Sequence, residues 1–227
     1  MFEIANRYYL PKPYLSYSAI NSFLSNRNDF RRKYYEGYEL PNTPELIFGK
    51  QIGERLENND TSLQHILRYD TPEYKLEFEV DHIPVLGYID TFDTRLNKIG
   101  EYKTGKTPWT QGRVDKHLQL DIYSLGVEMT LGKVDDECIL VWMETERIDR
   151  PLNGRGTHGN QYDIQLTGKV KEFVRTINAQ QRKDAYDTIV RVAQDISEDY
   201  TDWLSHKEQS QSSVRGGRTP YAQSSLR

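Results

Sequence analysis

Three charged side chains with complementary chemistry lie in the middle of the sequence: Asp90, Glu101 and Lys103. A turn predicted around Leu96 and Asn97 would fold their two segments into an antiparallel hairpin. That hairpin would place Asp90 opposite Lys103, with Glu101 two residues away on the same face. Two carboxylates can hold a hard divalent cation, and the ammonium can orient a water or offset charge on a phosphate ester. A cross-strand ion pair on a solvated sheet face is the alternative interpretation.

A second motif overlaps these residues. The letters GEYKTGKT, from Gly100 to Thr107, fit the P-loop pattern at every position, with Lys106 as the phosphate-binding lysine. A P-loop needs a buried strand before it and a helix that begins at its end. The preceding residues TRLNKI are too polar for a buried strand, and Pro108 and Gly112 disfavour an immediate helix. The P-loop is therefore the weaker of the two hypotheses.

A helix predicted to begin near Val114 could add polar groups to the site. Gln119 and Tyr123 are four residues apart in QLDIY, so they share one face of that helix. Two half-buried polar residues of an ordinary helix would show the same spacing. Arg113, just before this helix, and Lys106 are further candidates for contact with an anionic substrate.

Basic and aromatic residues alternate near the N-terminus. Unpaired nucleic acid is commonly bound by cations that follow its phosphates and by aromatic rings that stack on its bases. A helix with a solvated basic face and a tyrosine-rich core side is the other interpretation. The basic residues of this cluster are Arg27, Arg31, Arg32 and Lys33, and the aromatic ones are Phe30, Tyr34, Tyr35 and Tyr38.

Periodicity places these residues on a mixed set of elements. Residues 1–58 are predicted to be helical, with Ser16 or Ser18 as a helix cap. Alternating and continuous apolar runs predict strands at residues 74–80, 85–92, 99–104, 138–143 and 162–166. Residues 114–129 and 169–204 are predicted to be helical. The class is therefore α/β or α+β, with a single domain over residues 1–205 and a flexible tail over 206–227. Within that domain, residues 1–58 form a helical part, 74–166 the sheet core with its helix, and 168–205 the C-terminal helices.

Composition limits the function classes. The chain has 227 residues, a net charge of −4 and one cysteine, Cys138, so an internal disulfide is excluded. No apolar run is long enough for a transmembrane helix, and no signal or transit peptide is recognisable, so we expect a cytoplasmic protein with no membrane partner. The negative net charge is a sum over the whole sequence. Because the cations of the sequence are clustered, this sum does not exclude local binding of nucleic acid.

Taken in order, these motifs resemble the RecB-type branch of the PD-(D/E)XK nuclease superfamily over most of residues 14–145. The combination of Asp, Glu-x-Lys-Thr-Gly and Gln-x-x-x-Tyr in this spacing is specific, whereas each part alone is not. The matching segments are LSYS at residues 15–18, FGK at 48–50, GYID at 87–90, EYKTG at 101–105, and Gln119 with Tyr123.

The resemblance implies a restriction-endonuclease-like mixed sheet flanked by helices, and a Mg²⁺ or Mn²⁺ site. Asp90, Glu101 and the backbone carbonyl of Tyr102 would bind the metal. Lys103 would assist the attacking water, and Gln119 and Tyr123 would position the site. Many relatives carry a histidine ligand where this sequence has Gly53. Glu54 is the nearest oxygen ligand that could replace it.

The resemblance also implies what the chain does. We expect a metal-dependent deoxyribonuclease, an exonuclease on DNA single strands or ends, in phage or bacterial replication, repair or recombination, with a possible partner protein from those processes. The four cysteines that bind an iron–sulfur cluster in some relatives are absent, so we expect no cluster. The alternatives are a P-loop ATPase and a catalytically inactive DNA-binding relative.

Overall fold

A five-stranded mixed sheet flanked by helices forms the centre of the fold. The computed structural model describes residues 1–5, 7–39, 41–149 and 162–215. The sheet has the order β3-β4-β5-β6-β7, in which β5 and β6 are parallel and the other neighbours are antiparallel. This architecture confirms the predicted α+β class. Its strands are β3 (Thr71–Val80), β4 (Ile83–Asp93), β5 (Lys98–Gly105), β6 (Glu137–Asp149) and β7 (Tyr162–Thr176).

The N-terminal part combines a small hairpin with three helices. Strands β1 (Phe2–Ile4) and β2 (Tyr8–Leu10) pair antiparallel, which corrects the prediction that residues 1–58 are only helical. Each strand has three residues, too few for alternation to be visible in the sequence. The helices α1 (Tyr17–Ser25), α2 (Arg27–Tyr34) and α3 (Pro44–Glu57) follow. The Ser16 hydroxyl caps α1 by accepting a hydrogen bond from the amide of Ala19, as one of the two predicted caps.

The helix predicted from residue 114 is divided. Helix α4 (Gln111–Val114) ends where that helix was expected to start, and α5 (Leu118–Leu131) begins after an extended His117. Because α5 starts at Leu118, Gln119 lies in its first turn.

The C-terminal part differs most from the prediction. Strand β7 continues to Thr176, where a helix was predicted, because Phe173 and Arg175 are buried in alternation along it, and the buried Ile177 follows directly after it. A single helix, α6 (Ala179–Arg215), follows. It includes residues 206–215, so the prediction of a flexible tail is wrong for them, and residues 216–227 lie outside the described residues.

Each face of the sheet has its own core. The larger core lies between the sheet and helices α1, α5 and α6, and it includes Phe23, Leu120 and Ile189. The smaller core lies between the sheet and α3, where Ile52 and Leu56 pack with Val141 and Met143. No helix among the described residues is long and apolar enough to cross a membrane.

One edge of β4 is only partly paired, and this positions the site. Strand β5 pairs with β4 at Asp93, Phe92 and Thr91 and then leaves it. Farther along the same edge, Leu15 bridges to Val85, and its carbonyl accepts a hydrogen bond from the amide of Leu86. Residues 87–90 lie between these two pairings with no strand partner on this edge, and we call them the β4 gap.

The close packing of α5 on β3 can be tested by substitution of a glycine. A Cβ atom on Gly126 would lie 2.5 Å from Cε1 of Phe78, whereas a Cβ on Gly112 in α4 would meet nothing within 4 Å. We expect Gly126→Ala to lower the free energy of unfolding by about 1–3 kcal/mol, because overpacking outweighs the better helix propensity of alanine. Urea denaturation measures this. The matched control, Gly112→Ala, should be neutral or slightly stabilising, and equal stability of the two variants would contradict the packing argument.

Candidate active site

Asp90 is the last residue of the β4 gap, directly before the pairing of β4 with β5. Its Oδ2 accepts a hydrogen bond of 2.7 Å from the backbone amide of Tyr102. The pairing of Thr91 with Gly100 directs Asp90 towards Glu101 and Tyr102, so the predicted position opposite Lys103 is wrong. The turn was assumed about one residue too late in the sequence. Burial raises the pKa of Asp90, while the Tyr102 amide and the Lys103 charge lower it.

Glu101 lies on β5 and is 2% exposed. Its Oε1 accepts a hydrogen bond of 2.5 Å from Nζ of Lys103, and its Oε2 is buried with no hydrogen-bond partner in the described part of the chain. Burial raises the pKa of Glu101 to about 8, the negative charge of Asp90 adds to this, and Lys103 acts in the opposite direction. The unpartnered oxygen is the feature of the site that most needs a ligand, because buried polar atoms are normally satisfied.

A chain of hydrogen bonds connects Lys103 to α5. Nζ of Lys103 donates to Oε1 of Gln119 at 2.9 Å, and Nε2 of Gln119 donates to the Tyr123 hydroxyl at 3.1 Å. Burial raises the pKa of Tyr123, and its hydrogen bonds with Gln119 and with the backbone of Tyr88 lower it. The predicted catalytic residues of β5 and α5 therefore form one connected polar group. Gly87 makes this possible, because a Cβ there would lie 2.6 Å from Cε1 of Tyr123.

The two carboxylates and Lys103 open into one cleft of about 830 Å³ between α3 and the sheet, which we call the catalytic cleft. Gly53 and Glu54 also line it, and Glu54 is exposed. The cleft is rich in acidic side chains, which are Glu45, Glu54, Glu57, Glu73, Asp90 and Glu101. The predicted convergence of Asp90, Glu101 and Lys103 on one cavity is therefore what the structure contains.

A divalent cation suits this donor set. Within the described residues, no group of three or more His, Cys, Asp and Glu side chains could hold a metal ion by itself. Two carboxylates and the Tyr102 carbonyl would thus be the protein ligands of a cation that keeps several waters, as Mg²⁺ does. The buried, unpartnered Oε2 of Glu101 and the raised pKa values of both carboxyl groups fit such a site, since a cation would offset the charge that burial disfavours.

Sequence reasoning missed three residues around the site. Glu73 lines the catalytic cleft with a φ of 46°, and burial and the charges of Asp90 and Glu57 raise its pKa. The pKa of the half-buried Tyr17 is raised by burial and affected by the charges of Lys103 and Glu101. Tyr88 is 47% exposed and lines the cleft two residues before Asp90. Only Tyr88 had a signal, since it stands on the same strand face as Asp90 by alternation.

Arg31, one of the predicted DNA-binding residues, is engaged inside the protein. Its guanidinium forms two hydrogen bonds to the carboxylate of Asp199 on α6, of 2.9 and 2.5 Å. Asp199 is 5% exposed, so this pair joins α2 to α6. Arg31 thus has a structural role in the fold.

The other cations of that cluster lie over aromatic rings, at 4.4–5.1 Å from the ring centroids. These pairs are Arg27 with Phe23, Arg32 with Tyr38 and Lys33 with Tyr34. Arg27 is also 3.9 Å from Asp195. Lys106 and Arg113 are exposed and form no ion pair in the described part of the chain, and Arg113 stacks over Trp109 at 3.9 Å. Arg32 and Lys33 are likewise exposed and have no ion pair among the described residues, so four of the predicted cations are accessible to a substrate.

The residues of the P-loop pattern do not form a loop. Gly100 to Gly105 belong to β5, and Gly100 pairs with both Thr91 and Ile139 in the sheet. The next helix, α4, begins only at Gln111. The backbone amides that would surround a phosphate are therefore part of a strand, and the P-loop hypothesis is wrong.

Comparison with known proteins finds similarity only among solved structures. No protein-family model matches the chain, and no curated protein matches it. A candidate exonuclease from Eubacterium rectale is 11% identical with a TM-score of 0.48, covering 86% of this chain and 88% of its own. A phage-related exonuclease from Haemophilus somnus 129PT is 13% identical with a TM-score of 0.48 and 82% coverage of both chains. An alkaline exonuclease from Laribacter hongkongensis is 11% identical with a TM-score of 0.42, covering 87% and 94%. At these identities the similarity extends to the fold alone.

The buried Glu101 predicts a pH-dependent stability in a chelator. Its pKa of about 8 in the folded chain lies above its ordinary value, so between pH 5 and pH 8, in rough terms, the folded chain retains a proton that the unfolded chain has lost. Stability should therefore fall as the pH rises through this window. We expect the Tm in EDTA to fall more steeply for the wild type than for Glu101→Gln. Added Mg²⁺ or Mn²⁺ should flatten the wild-type curve, and parallel curves in EDTA would contradict the assignment.

Two arginine variants should separate a structural role from a binding role. Arg31→Ala leaves the buried Asp199 unpaired and should lower the free energy of unfolding by about 2 kcal/mol. Arg113→Ala should leave stability within about 0.5 kcal/mol and weaken binding to an oligonucleotide, with a smaller salt dependence. Urea denaturation and fluorescence anisotropy measure the two effects. An Arg31→Ala variant of unchanged stability but weaker DNA binding would reverse the assignment.

Proposed function

We propose that the chain is a metal-dependent deoxyribonuclease of the PD-(D/E)XK superfamily, in its RecB-type branch. One observation carries this proposal: Asp90, Glu101 and Lys103 meet in a single cleft, where Oε2 of the buried Glu101 has no hydrogen-bond partner among the described residues. A purely structural ion pair would have no need of an open cleft or of an unsatisfied oxygen.

Asp90, Glu101 and the carbonyl of Tyr102 would hold Mg²⁺ or Mn²⁺, with Glu54 as a further oxygen donor at the wall of the cleft. When bound, the cation supplies a lower pKa for water and stabilises negative charge on the phosphate. Burial raises the pKa of both carboxyl groups, and the negative charge of Asp90 further disfavours the ionised form of Glu101.

The hydrogen bonds of Lys103 within the site use only part of its ability to donate. An ammonium has three hydrogens, and Glu101 and Gln119 accept two of them. The third can donate to the attacking water or to a phosphate oxygen, where the positive charge offsets the charge of the transition state. Tyr123 fixes the amide of Gln119 and thus the direction of the ammonium.

DNA is the substrate that this chemistry and the exposed cations support. Lys106 and Arg113 lie on the segment that joins β5 to α5, so they can contact phosphates near the site. We propose exonuclease action on single strands or DNA ends in replication, repair or recombination, in a phage or bacterial setting and alongside a partner protein. The single cysteine of this chain cannot supply the four thiolates of an iron–sulfur cluster, so the site would work without one.

A nuclease assay with paired variants tests the function. Asp90→Asn keeps an oxygen that can accept the Tyr102 amide but removes the charge, so the fold should persist while the metal is lost. We expect cleavage of end-labelled DNA in Mg²⁺ or Mn²⁺, none in EDTA, and a loss of about a hundredfold or more in Asp90→Asn and Lys103→Ala. Circular dichroism confirms folding of each variant.

Lys106→Ala serves as the control against the P-loop alternative. It should weaken DNA binding but leave metal-dependent cleavage of bound DNA in place, and the wild type should not hydrolyse ATP. ATP turnover that depends on Lys106 but not on Asp90 would refute the nuclease. DNA binding without cleavage in either metal would instead identify an inactive relative.

A further inference from the structure

A second, smaller cleft adjoins the catalytic cleft on the other side of the Lys103–Gln119 hydrogen bond. It has a volume of about 310 Å³ and lies against the N-terminal segment that bridges to β4. Gln119 and Tyr123 line it, while Lys103 lines the catalytic cleft. Tyr88 lines both. The β4 gap is therefore the point where the two clefts meet.

The two clefts have different chemistry. The catalytic cleft is lined by six carboxyl groups, whereas the described residues that line the second cleft include none. The second cleft is instead formed by hydroxyl groups, aromatic rings and one lysine, which are Lys12, Tyr14, Ser16, Tyr17, Ser18, Tyr88 and Tyr123. A polyanionic strand can occupy such a surface without the repulsion that it meets beside carboxylates.

Tyr88 is placed as an aromatic platform between the clefts. Gly87 leaves room for the Tyr123 ring on one face of β4, and strand alternation directs Tyr88 away from it. The Tyr88 main chain is fixed by its antiparallel pairing with Lys75 of β3. The side chain itself is 47% exposed. An exposed ring on a fixed strand at the entrance of a cleft has no evident role in the core.

We propose that Tyr88 stacks on the nucleobase next to the scissile phosphodiester, as an unpaired DNA strand passes from the second cleft into the catalytic cleft. This proposal rests on the proposed nuclease function and adds to it a residue that distinguishes single-stranded from duplex DNA. A base in a duplex is already stacked on its neighbours and paired, so only an unpaired base can turn its face to the ring. Tyr88 thus selects single strands or frayed ends.

Binding to single-stranded DNA tests the platform apart from catalysis. Anisotropy with a labelled oligonucleotide, in Ca²⁺ in place of Mg²⁺, compares the wild type with Tyr88→Leu and Tyr88→Phe. We expect about tenfold weaker binding for Tyr88→Leu and wild-type binding for Tyr88→Phe, which keeps the ring. Tyr9→Leu is the matched control, because Tyr9 is 40% exposed on β2, lines neither of the two clefts and should leave binding unchanged. Equal affinity of Tyr88→Leu and the wild type would overturn the proposal.

A scan with abasic nucleotides locates the stacked base. Oligonucleotides that each lack one base are bound to the wild type and to Tyr88→Leu. At one position, removing the base should weaken binding to the wild type by the same factor as the Tyr88→Leu substitution does. Removing the base at that position should not weaken binding to Tyr88→Leu any further. Identical abasic profiles for the two proteins would overturn the proposal. Because these readouts need no cleavage, a failure of the nuclease assay and a failure of the platform are distinguishable.

Discussion

The early separation of β5 from β4 is the constraint on which the site depends. A continuous antiparallel ladder would satisfy the Tyr102 amide with a carbonyl of β4 and leave no space between the strands. Instead the Asp90 side chain accepts that amide, and the β4 gap remains open. One side chain thus satisfies a backbone donor that the interrupted ladder would otherwise leave buried without a partner. The same carboxylate is thereby held in a fixed direction at the wall of the catalytic cleft.

The second consequence of the gap is electrostatic. Glu101 is almost completely buried and lies beside another carboxylate, and Lys103 alone does not bring its pKa back to the ordinary range. Burying an ion pair is costly unless every oxygen and hydrogen of the pair is bonded. Here one oxygen of Glu101 is left over, so the isolated chain carries an unfavourable arrangement that a bound cation would relieve. Such local cost is typical of sites selected for binding and not for stability.

The parts of the fold that were predictable from sequence are those with strong local signals. The alternation before Val80, the apolar run from Cys138 and the Ser16 cap all correspond to observed elements. The β1–β2 hairpin was not predictable, because its strands are short and are held by α6. The first part of β7 was predicted as a strand, but its part from Lys169 onwards was predicted as a helix, since the polar Lys169, Lys171 and Glu172 hide the alternation that burial of Phe173 and Arg175 reveals. In the site, residue types were predictable, but the pairing register was not, because moving the centre of the turn by one residue changes every cross-strand partner. The ion pair of Arg31 with Asp199 could not be predicted from the sequence either, since the two residues are 168 positions apart.

The contacts of α6 with the N-terminal part affect the order in which the protein can fold. Arg31 bonds Asp199, the Tyr35 hydroxyl bonds the Ile196 carbonyl, and the amide of Tyr9 bonds the Ser197 hydroxyl. These partners are 161 to 188 residues apart in sequence. Closing such long loops costs chain entropy before the stabilising contacts have formed, so the contacts form slowly. During synthesis, the hairpin and helix α2 lack these contacts until α6 has left the ribosome, so the N-terminal part of a nascent chain is not yet held in its final position.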